Sequence, residues 1–504
     1  MDLVTLIPGA VSLADLRAIG AGARVELADS AWDAIGAAAA QVGAILASGR
    51  TVYGVNTGFG LLAQTRIADE RLGELQRNLI LSHSCGLGEP LDRSIVRLLI
   101  ALKVIGLGRG HSGVRRVIVE RLLAFLEADV LPVIPSQGSV GASGDLAPLA
   151  HMSAPLIGEG AMLLDGEVVP ASVALERLGL EPLVLGPKEG LALINGTQVS
   201  TAIALDALFT SERVFAAALV AGGLSTDALK GTDVPFDARI HAARGQPGQI
   251  AVAEIMRVLL ADSEIRSSHA DCGKVQDPYS FRCQPQVMGA VLDLLRHAAR
   301  TLETEANAAT DNPLLFDEEA LSGGNFHAQP IAFAADMLAM ACCEIGSMSE
   351  RRTAVLVDPK LSGLPPFLVA DSGVNSGFMI AHVTAAALVS ENKSLAFPAS
   401  VDTVPTSAGQ EDHVSMATHA GTKARRIAGN AAGVVGIELL AACQGVDFHT
   451  PLKSSQRLEV ARAAVRAEIP HLASDRYLAP ELEWAKRAVL DGMLTGEIEG
   501  VLFQ

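Results

Sequence analysis

Residues 138–151 read GSVGASGDLAPLAH: a run of mostly small residues, then an aspartate, then the start of an apolar helix. Small side chains let backbone approach backbone, so the segment suits an event on the main chain itself. Three readings fit. The first is a Gly-rich turn feeding a helix, with Ser143 or Asp145 as N-cap. The second, an anion-binding loop, lacks the Lys-Ser/Thr that follows the glycines of a phosphate loop. The third is cyclisation of the backbone. Attack of the Gly144 nitrogen on the Ala142 carbonyl carbon closes a five-membered ring, and loss of two waters turns Ser143 into a methylidene. Gly144 offers an unhindered nitrogen, Ala142 is small, Ser143 carries a hydroxyl to eliminate, and Asp145 is placed to shuttle protons. Spacing alone favours the plain turn, because Ala-Ser-Gly triplets are common.

The rest of the chain is helical in pattern. Of 504 residues, 49% are hydrophobic and 19% charged, and mean hydropathy is +0.33. So apolar a composition predicts long helices buried on most sides and a surface covered by other subunits. Net charge is −17, from 39 basic and 56 acidic residues, which argues against nucleic acid and against an anionic membrane surface as partners. Six cysteines (Cys85, Cys272, Cys283, Cys342, Cys343, Cys443) form no CxxC pair and read as buried, reduced thiols. The first residues, MDLVTLIPGAVSLADLRAIGAG, lack the basic flank and apolar core of a signal peptide; a cytoplasmic location is expected. Ile331–Met348 is apolar enough to suggest a membrane span but carries Asp336 and Glu344 and runs into Glu350-Arg351-Arg352, so a buried bundle helix is expected. The terminal VLFQ carries no weight.

Helices are predicted from Asp29 to Gly49 with Ser30 and Asp33 near capping-box spacing, over Ile95–Ile105 with Asp92 as cap, and over Leu191–Leu224, Gln284–Ala308, Gln329–Arg352 and Ser376–Leu395. One β-signal stands out, Met162–Val169 about an Asp-Gly turn. Polar, Gly-rich loops lie between the helices: Val52–Gly60 (VYGVNTGFG), Ser82–Pro90 (SHSCGLGEP), Gly138–Asp145, Asn195–Gln198 (NGTQ), Val275–Gln286 (VQDPYSFRCQPQ), Ser322–His327 (SGGNFH) and Thr406–His413 (TSAGQEDH). A rigid helical scaffold presenting such loops is where a site is sought. Two of only three tyrosines, Tyr53 and Tyr279, sit in them. Each residue has a structural reading: Tyr53 as a rim ring, Arg282 as a solvated arginine, Asn195 as a turn cap, His83 as a satisfied loop histidine, and Glu411 and Asp412 as first-turn acids of a helix. A metal cluster is unsupported, since no second His stands at ligand spacing.

GSVGASGDLAPLAH, with VYGVNTGFG upstream and NGTQ downstream, resembles the aromatic amino-acid ammonia-lyases, which form 4-methylideneimidazol-5-one (MIO) from Ala-Ser-Gly. VQDPYSFRCQPQVMG, SGGNFHAQP and SAGQEDHVSMA are similar to the members that act on histidine. The similarity runs from about residue 50 to about 450, motifs in family order. It implies an all-α, long-helix bundle of the ammonia-lyase/fumarase-like type, with a smaller N-terminal loop-rich helical region carrying minor β-hairpins. The expected division is 1–110, with a Tyr53 lid loop, and 111–504, an elongated body with the MIO loop at 138–145. The implied activity is deamination of L-histidine to urocanate and ammonia by a homotetramer with composite active sites, needing no external cofactor. The implied roles are the MIO triad for Ala142, Ser143 and Gly144, the base for Tyr53, and a carboxylate clamp for Arg282 with Tyr279 and Gln276 beside it. Asn195 would bond the carboxylate or the intermediate, Glu411 and His83 would hold the imidazole, and Phe326 would pack on ring or cofactor. Two positions depart from the pattern: Gln329 where glutamate is expected, and Gly409 where asparagine is expected. The alternatives are a tyrosine or phenylalanine lyase or aminomutase, which His83 with Glu411 argues against; an aspartase/fumarase-type eliminase, whose GSSxMPxKxN-like loop is missing; and a non-enzymatic scaffold with relic loops.

Overall fold

The computed structural model describes residues 3–58, 65–269, 275–317 and 319–496. Helix makes up 61% of it and strand 8%, so the all-α class holds and the strands serve as local clips. Two compact units emerge. One comprises Met1–Asp206, Ala299–Asp336 and Pro398–Thr422; the other Ala207–Ala298, Met337–Phe397 and Lys423–Gln504. The expected boundary between residues 110 and 111 falls inside the first unit.

In the first unit, strands Leu3–Leu6 and Arg24–Leu27 pair in parallel across the helix Leu13–Ala21. Ser12 and Asp15 form a reciprocal capping box on that helix. The box predicted at Ser30 and Asp33 does not form: the helix Asp29–Ala47 has Ala28 as its N-cap, two residues before Ser30, with no side-chain cap. Its buried stripe Ala31, Ile35, Ala38, Val42, Ile45 follows helical spacing, and the last three pack with Val55 and Leu315. The helix Arg93–Gly108 is buried from Ile95 onward, including two cations. Arg97 there satisfies carbonyls at two helix ends, donating from Nε to Ile19 O at 2.9 Å and from Nη1 to Leu126 O at 3.2 Å. The Asp-Gly hairpin is present: Ala161–Leu164 and Glu167–Pro170 pair antiparallel about Asp165 and Gly166, both at positive φ, and Leu131–Pro132 adds a third strand.

The second unit is built of long apolar helices. The predicted helix 191–224 is broken into Glu189–Ile194, which lies in the first unit, and Gln198–Ala228, which runs from the first unit into the second, because Gly196 at φ 132° cannot continue a helix. Gln284–Ala306, Gln329–Val357, Met379–Leu395 and Ala417–Asp447 follow. Among the described residues three helices are long and apolar enough to cross a membrane, yet two thirds of the apolar window of Gln329–Val357 and most of that of Ala417–Asp447 are buried within the chain, which supports the bundle-helix reading. Helices Pro247–Leu260 and Gln284–Ala306 meet backbone to backbone: a Cβ on Gly248 would lie 2.1 Å from Gly289 O. Of the thiols, Cys342 and Cys443 are buried and pushed up to about 12 by burial, while Cys85 is exposed, against expectation; Cys272 lies outside the described residues.

Arg352 and Glu438 are fully buried and paired, Nη2 to Oε2 at 2.8 Å, with Ser225 Oγ donating to Glu438 at 2.7 Å. Breaking such a pair leaves an uncompensated buried charge. Arg352→Met is expected to cost about 3–5 kcal/mol, and Arg352→Met with Glu438→Leu to recover most of it. Denaturant midpoints of the two variants check this, and equal losses would contradict it.

Candidate active site

The turn that decided the sequence reading is anchored in the first unit by the backbone of Gly196 and the side chain of Asn195. Gly144 and Gly196 form an isolated parallel bridge, and Asp145 N donates to Gly196 O at 2.8 Å. A Cβ on Gly144 would lie 2.2 Å from Gly196 O, and Gly144 sits at φ 80°; only glycine fits on both counts. Ser143 is held at φ 51°, an uncommon conformation for a residue with a Cβ. Asp145 occupies the N-cap position of the helix Leu146–Ser153, but its carboxylate makes no cap bond. Instead it is fully buried and accepts from Ser139 Oγ (3.0 Å), Thr418 Oγ1 (2.7 Å), Ser200 N (2.8 Å) and Ser200 Oγ (2.9 Å).

Asn195 ends the short helix Glu189–Ile194. Its Nδ2 donates to Ser143 O at 2.7 Å, and its Oδ1 is buried with no hydrogen-bond partner. Beneath it, Lys103 Nζ donates to Asn195 O at 3.0 Å and Ala192 O at 3.2 Å, a cation on the carbonyl end of that helix. Burial pushes the Lys103 ammonium down to about 7, with Asp311 and Asp145 opposing that shift.

Glu411 reaches the same turn. Its Oε1 accepts from Ser143 Oγ at 2.8 Å, and its Oε2 from Thr406 Oγ1 (2.7 Å) and Ser407 Oγ (2.6 Å). It is not a first-turn acid, because the helix begins only at Ala417; Thr406 and Glu411 bridge a short loop instead. Burial acts to raise the Glu411 carboxyl, but the three hydroxyls and nearby His83 outweigh it and hold it below the usual carboxylate range. His83 closes the helix Leu72–His83, where its Nδ1 lies 3.0 Å from Ser82 Oγ. Burial lowers its pKa, and Glu411 opposes the shift. The segment that carries it is drawn in by Leu87–Pro90 pairing with Pro135–Gln137 and by Gly86 N donating to His151 Nε2 at 3.0 Å.

Ser143, Asn195, Glu411 and His83 therefore converge. Phe326 is half-buried beside His327, whose Nε2 lies 3.2 Å from His413 O. The Tyr53 segment differs from the exposed loop predicted: Tyr53 is half-buried and residues 54–58 are buried. Asn56 pins it, accepting from Val52 N and donating to Arg50 O, each at 2.8 Å. Residues 59–64 of the expected lid lie outside the described residues.

Gln276, Tyr279 and Arg282 belong to the second unit and form their own cluster. Arg282 stacks 4.5 Å over the Tyr279 ring, Tyr279 is 71% exposed, and the Arg282 Nε is buried without a partner. Arg282 and Gln276 line a cavity of about 730 Å³ with Lys230, Arg266 and His269. Gln329 donates to Ser400 O at 2.9 Å. Gly409 lies at φ 83° with open space where a Cβ would be. Asparagine tolerates that conformation as glycine does, so the departure preserves the turn.

A helical chain that wraps a left-handed Ala-Ser-Gly turn between a carboxamide and a carboxylate has the build of a lyase. The sequence model of the aromatic amino acid lyase family matches residues 11–467, and the chain belongs to that family, whose chemistry depends on MIO. A histidine ammonia-lyase of Paracidovorax citrulli (strain AAC00-1) is 60% identical over 486 residues, covering 96% of this chain and 95% of that protein. Among solved structures, a histidine ammonia-lyase from Trypanosoma cruzi is 40% identical with a TM-score of 0.91, covering 99% of this chain and 95% of the other. A tyrosine aminomutase from Streptomyces globisporus is 36% identical with a TM-score of 0.94, covering 98% of each.

Sequence reasoning passed over Lys103, Ser200, Thr418, Thr406 and Ser407. Lys103 had a signal: with Arg97 it is one of two charges inside an otherwise apolar helical run. Ser200 and Thr418 had none, being ordinary polar residues at helix starts.

Two outcomes are expected. Gly144→Ala meets backbone at 2.2 Å and should lower the melting temperature; an unchanged melting temperature would contradict the tight contact. Lys103 binds its proton less tightly folded (about 7) than at its ordinary 10.5. The unfolded chain thus holds more protons between those values, and this residue's contribution to stability rises with pH across the window. The stability difference between wild type and Lys103→Met should shift toward wild type from pH 7 to pH 10, as read by denaturant titration.

Proposed function

We propose that the chain deaminates L-histidine to urocanate and ammonia, with MIO formed from Ala142, Ser143 and Gly144. The observation that carries this reading is the ionised Glu411 carboxylate beside Ser143, electrostatically coupled to His83. A fixed anion next to the reacting turn suits an imidazole ring, which donates N–H or carries charge, and does nothing for a phenyl ring. The similarity to histidine ammonia-lyases, 60% and 40% identical, supports the same substrate.

The residues fit MIO. Ser143 is already turned left-handed, Gly144 packs where no side chain fits, and Asn195 Nδ2 bonds the Ser143 carbonyl while its Oδ1 stays unpartnered. The group supplies an electrophile that converts the substrate amine into a better leaving group. The chain binds, orients and moves protons around it. Asn195 stabilises negative charge at the Ser143 carbonyl oxygen. Asp145, saturated by four donors, fixes the turn. Tyr53 takes the β-proton, and Glu411 and His83 hold the ring. Phe326 packs against ring or cofactor, and Arg282, with Tyr279 and Gln276, clamps the carboxylate. Positioning of this kind contributes about 7–11 kcal/mol of barrier reduction when geometry is good. A cytoplasmic homotetramer with composite active sites, which brings loops of several chains to one turn, completes the reading.

Incubation with L-histidine, L-tyrosine and L-phenylalanine in parallel tests it: urocanate should accumulate in the ultraviolet from histidine, and preferential turnover of either other amino acid would overturn the assignment. Ser143→Ala should keep the fold and lose nearly all turnover, since no hydroxyl remains to eliminate. Glu411→Gln should raise KM or lower kcat for histidine with the two-water deficit intact; unchanged kinetics would remove it from the pocket.

A further inference from the structure

The loop Thr406–Glu411 takes a conformation its sequence does not favour. Ser407 lies at φ 50°, Ala408 at φ 55° and Gly409 at φ 83°, three left-handed residues in succession of which only one is glycine. Backbone bonds alone close it: Thr406 N donates to Glu411 O at 3.0 Å, Gly409 N to Thr406 O at 3.0 Å and Gln410 N to Ser407 O at 3.2 Å. The side chains are therefore not needed for closure, yet both hydroxyls turn onto one atom, Oε2 of Glu411, at 2.7 and 2.6 Å. The other oxygen, Oε1, has a single donor, the Ser143 hydroxyl at 2.8 Å. Backbone strain at such a place signals a conformation held for a purpose.

We propose that Thr406 and Ser407 are specificity-positioning residues: their hydroxyls lock Glu411 by Oε2 so that Oε1 faces the reacting turn as an acceptor for the N–H of a substrate's five-membered ring. Loss of the Ser143 hydroxyl during ring formation removes the one donor on Oε1 and leaves that oxygen to the substrate. Both hydroxyls also favour the ionised carboxylate, the form that accepts. A carboxylate free to rotate would lose direction and pay ordering entropy on each binding event, so the pair contributes to ring recognition without touching the ring. This inference rests on the histidine reading of the same site.

The test compares binding of urocanate, which carries the imidazole, with cinnamate, its phenyl counterpart, by calorimetry on the full-length protein, for wild type, Thr406→Val, Ser407→Ala and the double variant. Ser407 is exposed and Thr406 half-buried on the loop, and an intact two-water mass deficit verifies that the turn has matured in each. Charge-assisted hydrogen bonds carry weight enough that urocanate affinity should fall about tenfold per hydroxyl lost, while cinnamate affinity stays constant. Thr406→Ser and Ser407→Thr should restore it. A fall in both ligands alike would mark a merely structural role, and no fall in either would show that Glu411 needs no lock; each overturns the inference. Wild type that fails to prefer urocanate over cinnamate would overturn the histidine reading and this one with it.

Discussion

The buried carboxylate of Asp145 is the constraint on which the site depends. A carboxylate removed from water must be fully satisfied or it destabilises the fold. Among the described residues no cation lies in hydrogen-bonding contact with it; four donors from three segments take that place. Ser200 is in the first turn of the helix Gln198–Ala228 and Thr418 in the first turn of Ala417–Asp447. Asp145 itself stands ahead of Leu146–Ser153. The anion thus gathers helix N-termini, where orphan N–H groups and the helix dipole both favour negative charge. One side chain fixes where three helices start, and the loops between those starts become the site.

That convergence explains why strained backbone concentrates here. Ser143 and Met416 are both left-handed, and Met416 N donates to Val140 O at 3.0 Å, stitching the start of the 417–447 helix to the reacting turn. Gly144 against Gly196 leaves no clearance for a methyl group. Unfavourable local conformations persist only where surroundings over-determine them. Asp145 on one side and the Asn195–Lys103 stack on the other supply that over-determination. The chemistry proposed for the turn, ring closure and later charge on the Ser143 carbonyl, would draw on the same geometry.

The sequence made parts of this legible and hid others for physical reasons. GSVGASGDLAPLAH and NGTQ announced themselves through residue types that only close backbone contact requires, and the structure sets them against each other. Long apolar runs gave the helices, with some ends matched and the others shifted by two to five residues. The capping box expected at Ser30 does not form, while one that was not predicted forms at Ser12; the S-x-x-D pattern stands at both places and only the backbone conformation decides between them. Glu411 was picked out, but Thr406 and Ser407 were not. Their role arises from a turn that residue preferences disfavour, so no local rule points to it. The half-burial of Tyr53 was equally hidden: a Gly-rich loop reads as exposed until Asn56 is seen tying it down.

Fold alone cannot select the substrate. The tyrosine aminomutase superposes with a TM-score of 0.94 and the histidine ammonia-lyase with 0.91, although the latter shares more of the sequence, 40% against 36%. A scaffold that similar can host either ring, so the choice falls to the few side chains lining the turn. Under the proposed reading, Glu411 with His83 would make that choice, because a fixed carboxylate suits an imidazole N–H and does nothing for a phenyl ring. The ionisation of Glu411 is opposed by burial and secured by hydroxyl donors. Because desolvation makes an unpaired carboxylate costly and a paired one directional, the half-buried setting that threatens the charge also gives it the power to discriminate.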